Sequence, residues 1–158
     1  MRPSRPFQGY LVEGRELQPL PQPIANADSQ AYWSAARERR LVIRRCMTCN
    51  AYHFMPRHLC PTCWSDQLEW VDSKGTGTVH SFTIIRRASA AAFSSLVPYV
   101  LVLIDLDEGP RMMTNLLGDD SLSVAIGDPV KVAFEDRGDG SLIPQFCRSI
   151  PGETDEET

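Results

Sequence analysis

Two Cys-x-x-Cys pairs, Cys46–Cys49 and Cys60–Cys63, with ten residues between them, constrain this chain more than any other feature. Two short knuckles at this spacing bring four thiolates to one point, which is the ligand set of a tetrahedral zinc ribbon. A dithiol redox motif needs one pair only, ahead of a helix in a βαβ unit. Here both pairs sit among turn residues between short extended segments. The expected cofactor is therefore one zinc, held by Cys46, Cys49, Cys60 and Cys63. Four protein thiolates complete the tetrahedron, so the metal is expected to be structural and to offer no open position to a substrate.

Composition limits what can surround such a site. At 158 residues and 42% hydrophobic content, the chain can bury one modest core and a small metal-supported satellite. The net charge of −4 and the acidic pI of about 5.3 argue against a partner gripped through its phosphate backbone, which calls for a basic stripe. No run of about 18 apolar residues exists, and Met1-Arg-Pro-Ser-Arg-Pro6 leads into no apolar signal segment. The expected location is the cytoplasm, where a reducing milieu keeps thiols available to metal. Cys147, the fifth thiol, is flanked by strand-like residues and reads as a buried small hydrophobe, not a nucleophile.

Along the chain, residues 1–25 carry prolines at 3, 6, 19, 21 and 23 and read as an extended, Pro-rich arm. Residues 26–40 read as an amphipathic helix, capped by Asn26 or Asp28, with Tyr32, Trp33, Ala35 and Ala36 on its apolar side and arginines in its last turn. Residues 41–73 form the zinc ribbon, with Leu41–Arg45 and Leu68–Asp72 as strands entering and leaving the knuckles. From 74 to 150 the texture is all-β: Thr78–Ile85, Tyr99–Leu106, Arg111–Leu117, Val130–Glu135 and Leu142–Ile150 are apolar segments separated by Gly, Asp and Pro turns. Five such strands, with longer connections after the first and third, suit a small OB-type barrel. Residues 151–158 read as a disordered acidic tail. The fold class is thus mainly β: one helix, a four-cysteine ribbon and a five-stranded OB-fold barrel.

The motifs in this order resemble the family of two-domain zinc-ribbon and OB-fold proteins known by the domain-of-unknown-function label 35. The likeness runs from about Tyr32 to Phe146. It is carried by Leu41-Val-Ile-Arg-Arg-Cys46, Met55-Pro56-Arg57, Gly75-Thr-Gly-Thr-Val79, Pro98-Tyr99-Val100, Leu106-Asp-Glu-Gly-Pro-Arg111, Ile126–Val130 and Pro144-Gln145-Phe146. The family pattern places glycine after each Cys-x-x-Cys, whereas this chain has Asn50 and Trp64. Asparagine tolerates a left-handed backbone and tryptophan does so poorly, so the second knuckle is expected to turn differently or less favourably. The resemblance implies a rubredoxin-like zinc ribbon and a noncatalytic, acyl-CoA-associated subunit beside a thiolase-superfamily enzyme: a thiolase, a synthase, an acyltransferase or a lyase of steroid side-chain degradation.

The residues themselves add candidates to that expectation. Arg57, Arg86 and Arg87 are candidates for coenzyme A phosphates, since guanidinium forks suit phosphate oxygens. The same arginines also read as solvated or bracing residues. Phe93, Leu96 and Val97, in the long connection after the first barrel strand, are candidates for docking a partner. Strands Tyr99–Leu106 and Arg111–Leu117 carry apolar residues on both faces, to be covered by the ribbon, the helix or a second protein. They hold one aromatic and one basic residue between them, which weakens the alternative of a single-stranded nucleic-acid-binding protein. His53, His58 and His80 form no recognisable site, and Asp105, Asp107 and Glu108 read as a solvated bend. With no nucleophile–base set in view, no catalytic residue is assigned, and catalysis by the chain alone is not expected.

Overall fold

Asn26 and Ser29 open the first element by exchanging hydrogen bonds: the Asn26 N–H donates to Ser29 Oγ at 3.0 Å and the Ser29 N–H to Asn26 Oδ1 at 2.9 Å. This reciprocal cap starts helix α1, Gln30–Arg37, which buries Tyr32, Ala35 and Ala36. The arginine-rich continuation to residue 40 is not helical, because Arg39 turns left-handed at φ 58°. Arg40 instead reaches Asp72 with Nε and Nη2, both at 2.9 Å, and so ties the end of the helix to the ribbon. The computed structural model describes residues 19–138 and 140–149. Most of the Pro-rich arm and the acidic tail lie outside the described residues.

The ribbon is a three-stranded antiparallel sheet in the order β2-β1-β3, from β1 (Val42–Cys46), β2 (Tyr52–His53) and β3 (Leu68–Asp72). Ile43 at its centre is fully buried, and Arg44 spans the sheet with its guanidinium 4.7 Å above the Trp70 ring. The barrel follows: β4 (Thr76–Ile85), β5 (Tyr99–Leu106), β6 (Arg111–Leu117), β7 (Pro129–Asp136) and β8 (Leu142–Arg148) close in the order β4-β5-β6-β8-β7. The five segments anticipated from turn chemistry are these strands, with β5 and β6 unchanged in extent.

Alternation in β5 decides its orientation. Val100, Val102, Ile104 and Leu106 are buried in the barrel, while Tyr99, Leu101, Leu103 and Asp105 face out and stay half-buried. Phe146 on β8 fills the centre with no exposed surface. Helix α1, Leu41 and Ile43 join the same apolar cluster, so ribbon and barrel share one core. The junction needs glycine for space. A Cβ on Gly77 meets the Asp105 carbonyl oxygen, and one on Gly75, at φ 69°, meets Val132.

The bend of acidic residues after β5 braces this junction. Glu108 accepts from the Lys74 N–H at 2.7 Å and the Ser73 hydroxyl at 3.1 Å, Asp107 accepts from Thr76 Oγ1, and Asp105 pairs with Arg111 at 2.7 Å. The bend is solvated as expected, and two of its carboxylates, Asp107 and Glu108, also clamp the ribbon–barrel connection, while Asp105 pairs within the barrel.

Candidate metal centre and interdomain grooves

The first knuckle begins at the end of β1 and the second in the loop between β2 and β3, and each reverses through a left-handed residue. The Asn50 N–H donates to the Cys46 carbonyl at 2.8 Å and the Trp64 N–H to the Cys60 carbonyl at 3.0 Å, with φ of 58° and 63°. The two knuckles are thus near copies. Of the two expectations for Trp64, that the second knuckle turns differently is corrected, since it holds the same left-handed conformation as Asn50, while that conformation on tryptophan agrees with a less favourable turn.

The four Sγ atoms of Cys46, Cys49, Cys60 and Cys63 all lie within 4.8 Å of one another. Cys46 and Cys63 are 3.6 Å apart, as are Cys49 and Cys60. A disulfide requires about 2.05 Å, whereas a tetrahedron with Zn–S bonds of about 2.3 Å places its sulfurs about 3.8 Å apart. The cage fits zinc and excludes a bridge. The Thr62 N–H points at Cys60 Sγ at 3.4 Å, an outer contact that favours thiolate. Backbone N–H groups of Cys49 and Thr48 help pull the Cys46 thiol down to about 6. Cys63 goes the other way: although the Ser65 N–H favours its thiolate, desolvation and the three neighbouring sulfurs push it up to about 12. Four sulfurs this close cannot all ionise without a cation, and a divalent metal supplies the missing charge. A zinc bound by these four thiolates would hold the two knuckles together, with its four positions taken by protein. Its role is structural.

Beyond the cage, α1, the ribbon and the barrel leave two grooves on either side of Phe54 and Met55. The larger, about 410 Å³, is apolar, lined by Tyr32, Trp33, Phe54, Pro56, Met113 and Pro144 among others. It exists because β6 and β8 pair only at Leu116↔Phe146 and Leu117↔Cys147. Ahead of that point the strands part, and Gln145 bridges them. Its Oε1 accepts from the Asn115 N–H and the Thr114 hydroxyl, both at 2.8 Å, and its Nε2 donates to Glu135 at 3.2 Å. The smaller groove, about 280 Å³, is lined by Tyr52, His53, Arg57 and Arg111 together with Pro61 and Pro110.

The other candidates fall elsewhere. Arg86 and Arg87 are exposed just past the end of β4, six residues of β5 away from the Asp105–Arg111 pair, or about 20 Å. The structure does not bring them together with Arg57. Phe93, Leu96 and Val97 are half-buried, and Phe93 packs its ring 6.4 Å from Tyr99, so part of this surface rests on the barrel itself. Cys147 is half-buried, with its thiol 3.6 Å from the Lys131 carbonyl. His80 joins Asp105 at 2.9 Å, and His53 is buried. Sequence reasoning missed Arg111 and Gln145 as site residues. Both stood in quoted motifs, but only the fold shows that one faces the ribbon and the other stands in for a missing strand pairing.

Comparison with known proteins agrees with this architecture. Residues 33–69 match the ChsH2 rubredoxin-like zinc ribbon domain and residues 70–135 the ChsH2 C-terminal OB-fold domain. The chain is 35% identical over 149 residues to a probable enoyl-CoA hydratase alpha subunit of Thermomonospora curvata, covering 94% of this chain and 46% of that protein. It is 31% identical over 116 residues to a DUF35 domain-containing scaffold protein of Methanocaldococcus jannaschii, covering 70% and 82%. It is also 31% identical over 75 residues to the benzoylsuccinyl-CoA thiolase subunit BbsA of Geobacter metallireducens, covering 48% and 49%. Among solved structures, it superposes with a TM-score of 0.73 and 34% identity on a chain of "Ltp2-ChsH2(DUF35) aldolase", covering 82% of this chain and all of that one. The chain spans less than half the length of the hydratase subunit it matches. Among the described residues, no helix is long and apolar enough to cross a membrane.

Proposed function

The chain belongs to the DUF35 family of zinc-ribbon and OB-fold proteins, and from that premise we propose that it is an accessory scaffold subunit for a thiolase-type enzyme acting on acyl-CoA. The observation that carries this reading is the fit of 82% of this chain over the whole of a chain in the structure titled "Ltp2-ChsH2(DUF35) aldolase". The relatives named as a scaffold protein and as a thiolase subunit point the same way. Physical features agree. The metal cage is closed, and the apolar groove between α1, Phe54–Pro56 and β6 is large enough to receive side chains of a second protein. Met55 and Met113 at its rim are 59% and 62% exposed, a cost in water that a partner removes.

Within this reading the chain is noncatalytic and works in the cytoplasm, where free thiols persist for the metal. Phe93, Leu96 and Val97 contribute to docking, and Arg86 and Arg87, both exposed, are the arginines this reading offers to coenzyme A phosphates. The acidic total charge and the scarcity of aromatic residues on β5 and β6 give a nucleic-acid role little support. Copurification from the native host, read by mass spectrometry, tests the proposal. A thiolase-fold protein recovered in stoichiometric amount supports it, and a chain recovered alone or with nucleic acid contradicts it.

A further inference from the structure

The connection between β4 and β5, residues 86–98, carries a charge pattern that the fold does not use. It opens on Arg86-Arg87-Ala88-Ser89 and holds no acidic residue along its length. Arg40, Arg45, Arg111, Arg137 and Arg148 all form ion pairs. Arg86 and Arg87 are exposed and pair with no described residue. Ser89 is exposed as well, between the small side chains of Ala88 and Ala90, and its hydroxyl has no partner among the described residues. Serines that serve the fold are engaged: Ser29 Oγ donates to Asn26, Ser65 Oγ meets Thr48 Oγ1, and Ser73 Oγ donates to Glu108. Around Ser89 the backbone is irregular, past the end of β4 at Ile85 and ahead of the short 3-10 helix Ala91–Phe93.

A free hydroxyl with small neighbours, on a loop tied into no ladder, can be drawn out into the cleft of a second enzyme. The two guanidiniums just ahead of it suit an acidic cleft, and charge patterns of this kind decide which hydroxyls a protein kinase accepts. We propose that Ser89 is a phosphorylation site, modified by a serine kinase whose acidic substrate cleft reads Arg86 and Arg87. Ser89 Oγ attacks the γ-phosphorus of a nucleoside triphosphate, and the Oγ–P bond forms as the bond from that phosphorus to the bridging oxygen breaks. The nucleoside diphosphate leaves with the electron pair, and the hydroxyl proton passes to the kinase's general base. The product carries a charge of about −2 beside two guanidiniums that have no acid of their own in the connection. Charge-assisted hydrogen bonds from Arg86 and Arg87 to the phosphate follow. These are the arginines that the acyl-CoA reading offers to coenzyme A, so the modification withdraws them from that ligand. This consequence rests on the reading above, but the site does not.

The test has two arms. Phosphopeptide mass spectrometry of the full chain recovered from its native host, in growth and in starvation, finds phosphate on Ser89. Phosphoryl transfer from magnesium ATP to the full zinc-loaded chain is then measured with the catalytic subunit of cyclic-AMP-dependent protein kinase, a probe whose acidic cleft reads arginine. Ser89→Ala loses the transfer, Arg86→Ala and Arg87→Ala each lower kcat/KM by about tenfold or more, and Ser94→Ala and Ser95→Ala match the parent, with zinc content unchanged throughout. A native chain without phosphate on Ser89, phosphate on Ser94 or Ser95 instead, or transfer indifferent to both arginines overturns the proposal. A chain that copurifies with a thiolase-fold protein yet bears no phosphate on Ser89 overturns this inference alone. One that is phosphorylated there but recruits no such partner overturns only the scaffold reading.

Discussion

Trp64 holds a left-handed backbone at φ 63° while leaving 76% of its surface in water, so little packing offsets the strain. A left-handed L-residue costs about 1–2 kcal/mol, and glycine removes that cost while losing about 0.5–1 kcal/mol to chain entropy. Trp64→Gly is therefore expected to stabilise the isolated chain by about 0.5–1 kcal/mol, read in denaturant unfolding of the zinc form. A loss of stability would show that the indole is anchored by something besides the ribbon. Asp105 is a second single-residue test. The Arg111 guanidinium, by hydrogen bond first, holds its carboxyl below the usual range, so the pair contributes stability above about pH 4, the unfolded value, and loses it as pH falls through the lower folded value. Both partners are well exposed, so the effect is small, and acid also strips thiolate-bound zinc. Carboxyl NMR titration avoids that overlap. Arg111→Gln is expected to raise the Asp105 midpoint, and an unchanged midpoint contradicts the assignment.

At the scale of elements, the ribbon depends on metal and the barrel on one glutamine. Structural zinc contributes apparent binding energies of about 10–16 kcal/mol in small ribbons, far more than a sheet of three short strands supplies. Cys46→Ser or Cys60→Ser is expected to unfold the ribbon and leave poorly soluble protein. Zinc content by elemental analysis and amide spectra check this, and a folded metal-free ribbon contradicts it. In the barrel, Gln145→Leu leaves the half-buried Asn115 N–H without its acceptor, at a cost of about 1–3 kcal/mol, while the Thr114 hydroxyl keeps the Pro144 carbonyl at 3.1 Å. Thermal unfolding is expected to shift down by several degrees while zinc stays bound. Much of this level was legible in sequence, because cysteine spacing fixes a ribbon and strict alternation fixes a strand face, as in β5. What stayed hidden was long-range. The parting of β6 from β8, the convergence of Arg57 with Arg111 and the clamp made by Glu108 join residues 30 or more positions apart. The end of α1 was also illegible, since Arg39 is a good helix former that Arg40 and Asp72 draw out of the helix.

The whole molecule is a shared core flanked by the two grooves described above, an architecture that suits the scaffold role proposed for it. Leu41 and Ile43 pack with Val79, Ile104 and Phe146, so ribbon and barrel present their surfaces in a fixed relation. A rigid platform of this kind orders a partner at little entropic cost. Coenzyme A thioester turnover, measured for the chain alone, for the proposed thiolase-fold partner alone and for the two recombined, tests this account most directly. No turnover by the chain alone, weak activity or precipitation of the partner alone, and recovery on recombination is the predicted result. Turnover by the chain alone, or a partner fully active and soluble without it, would contradict the account.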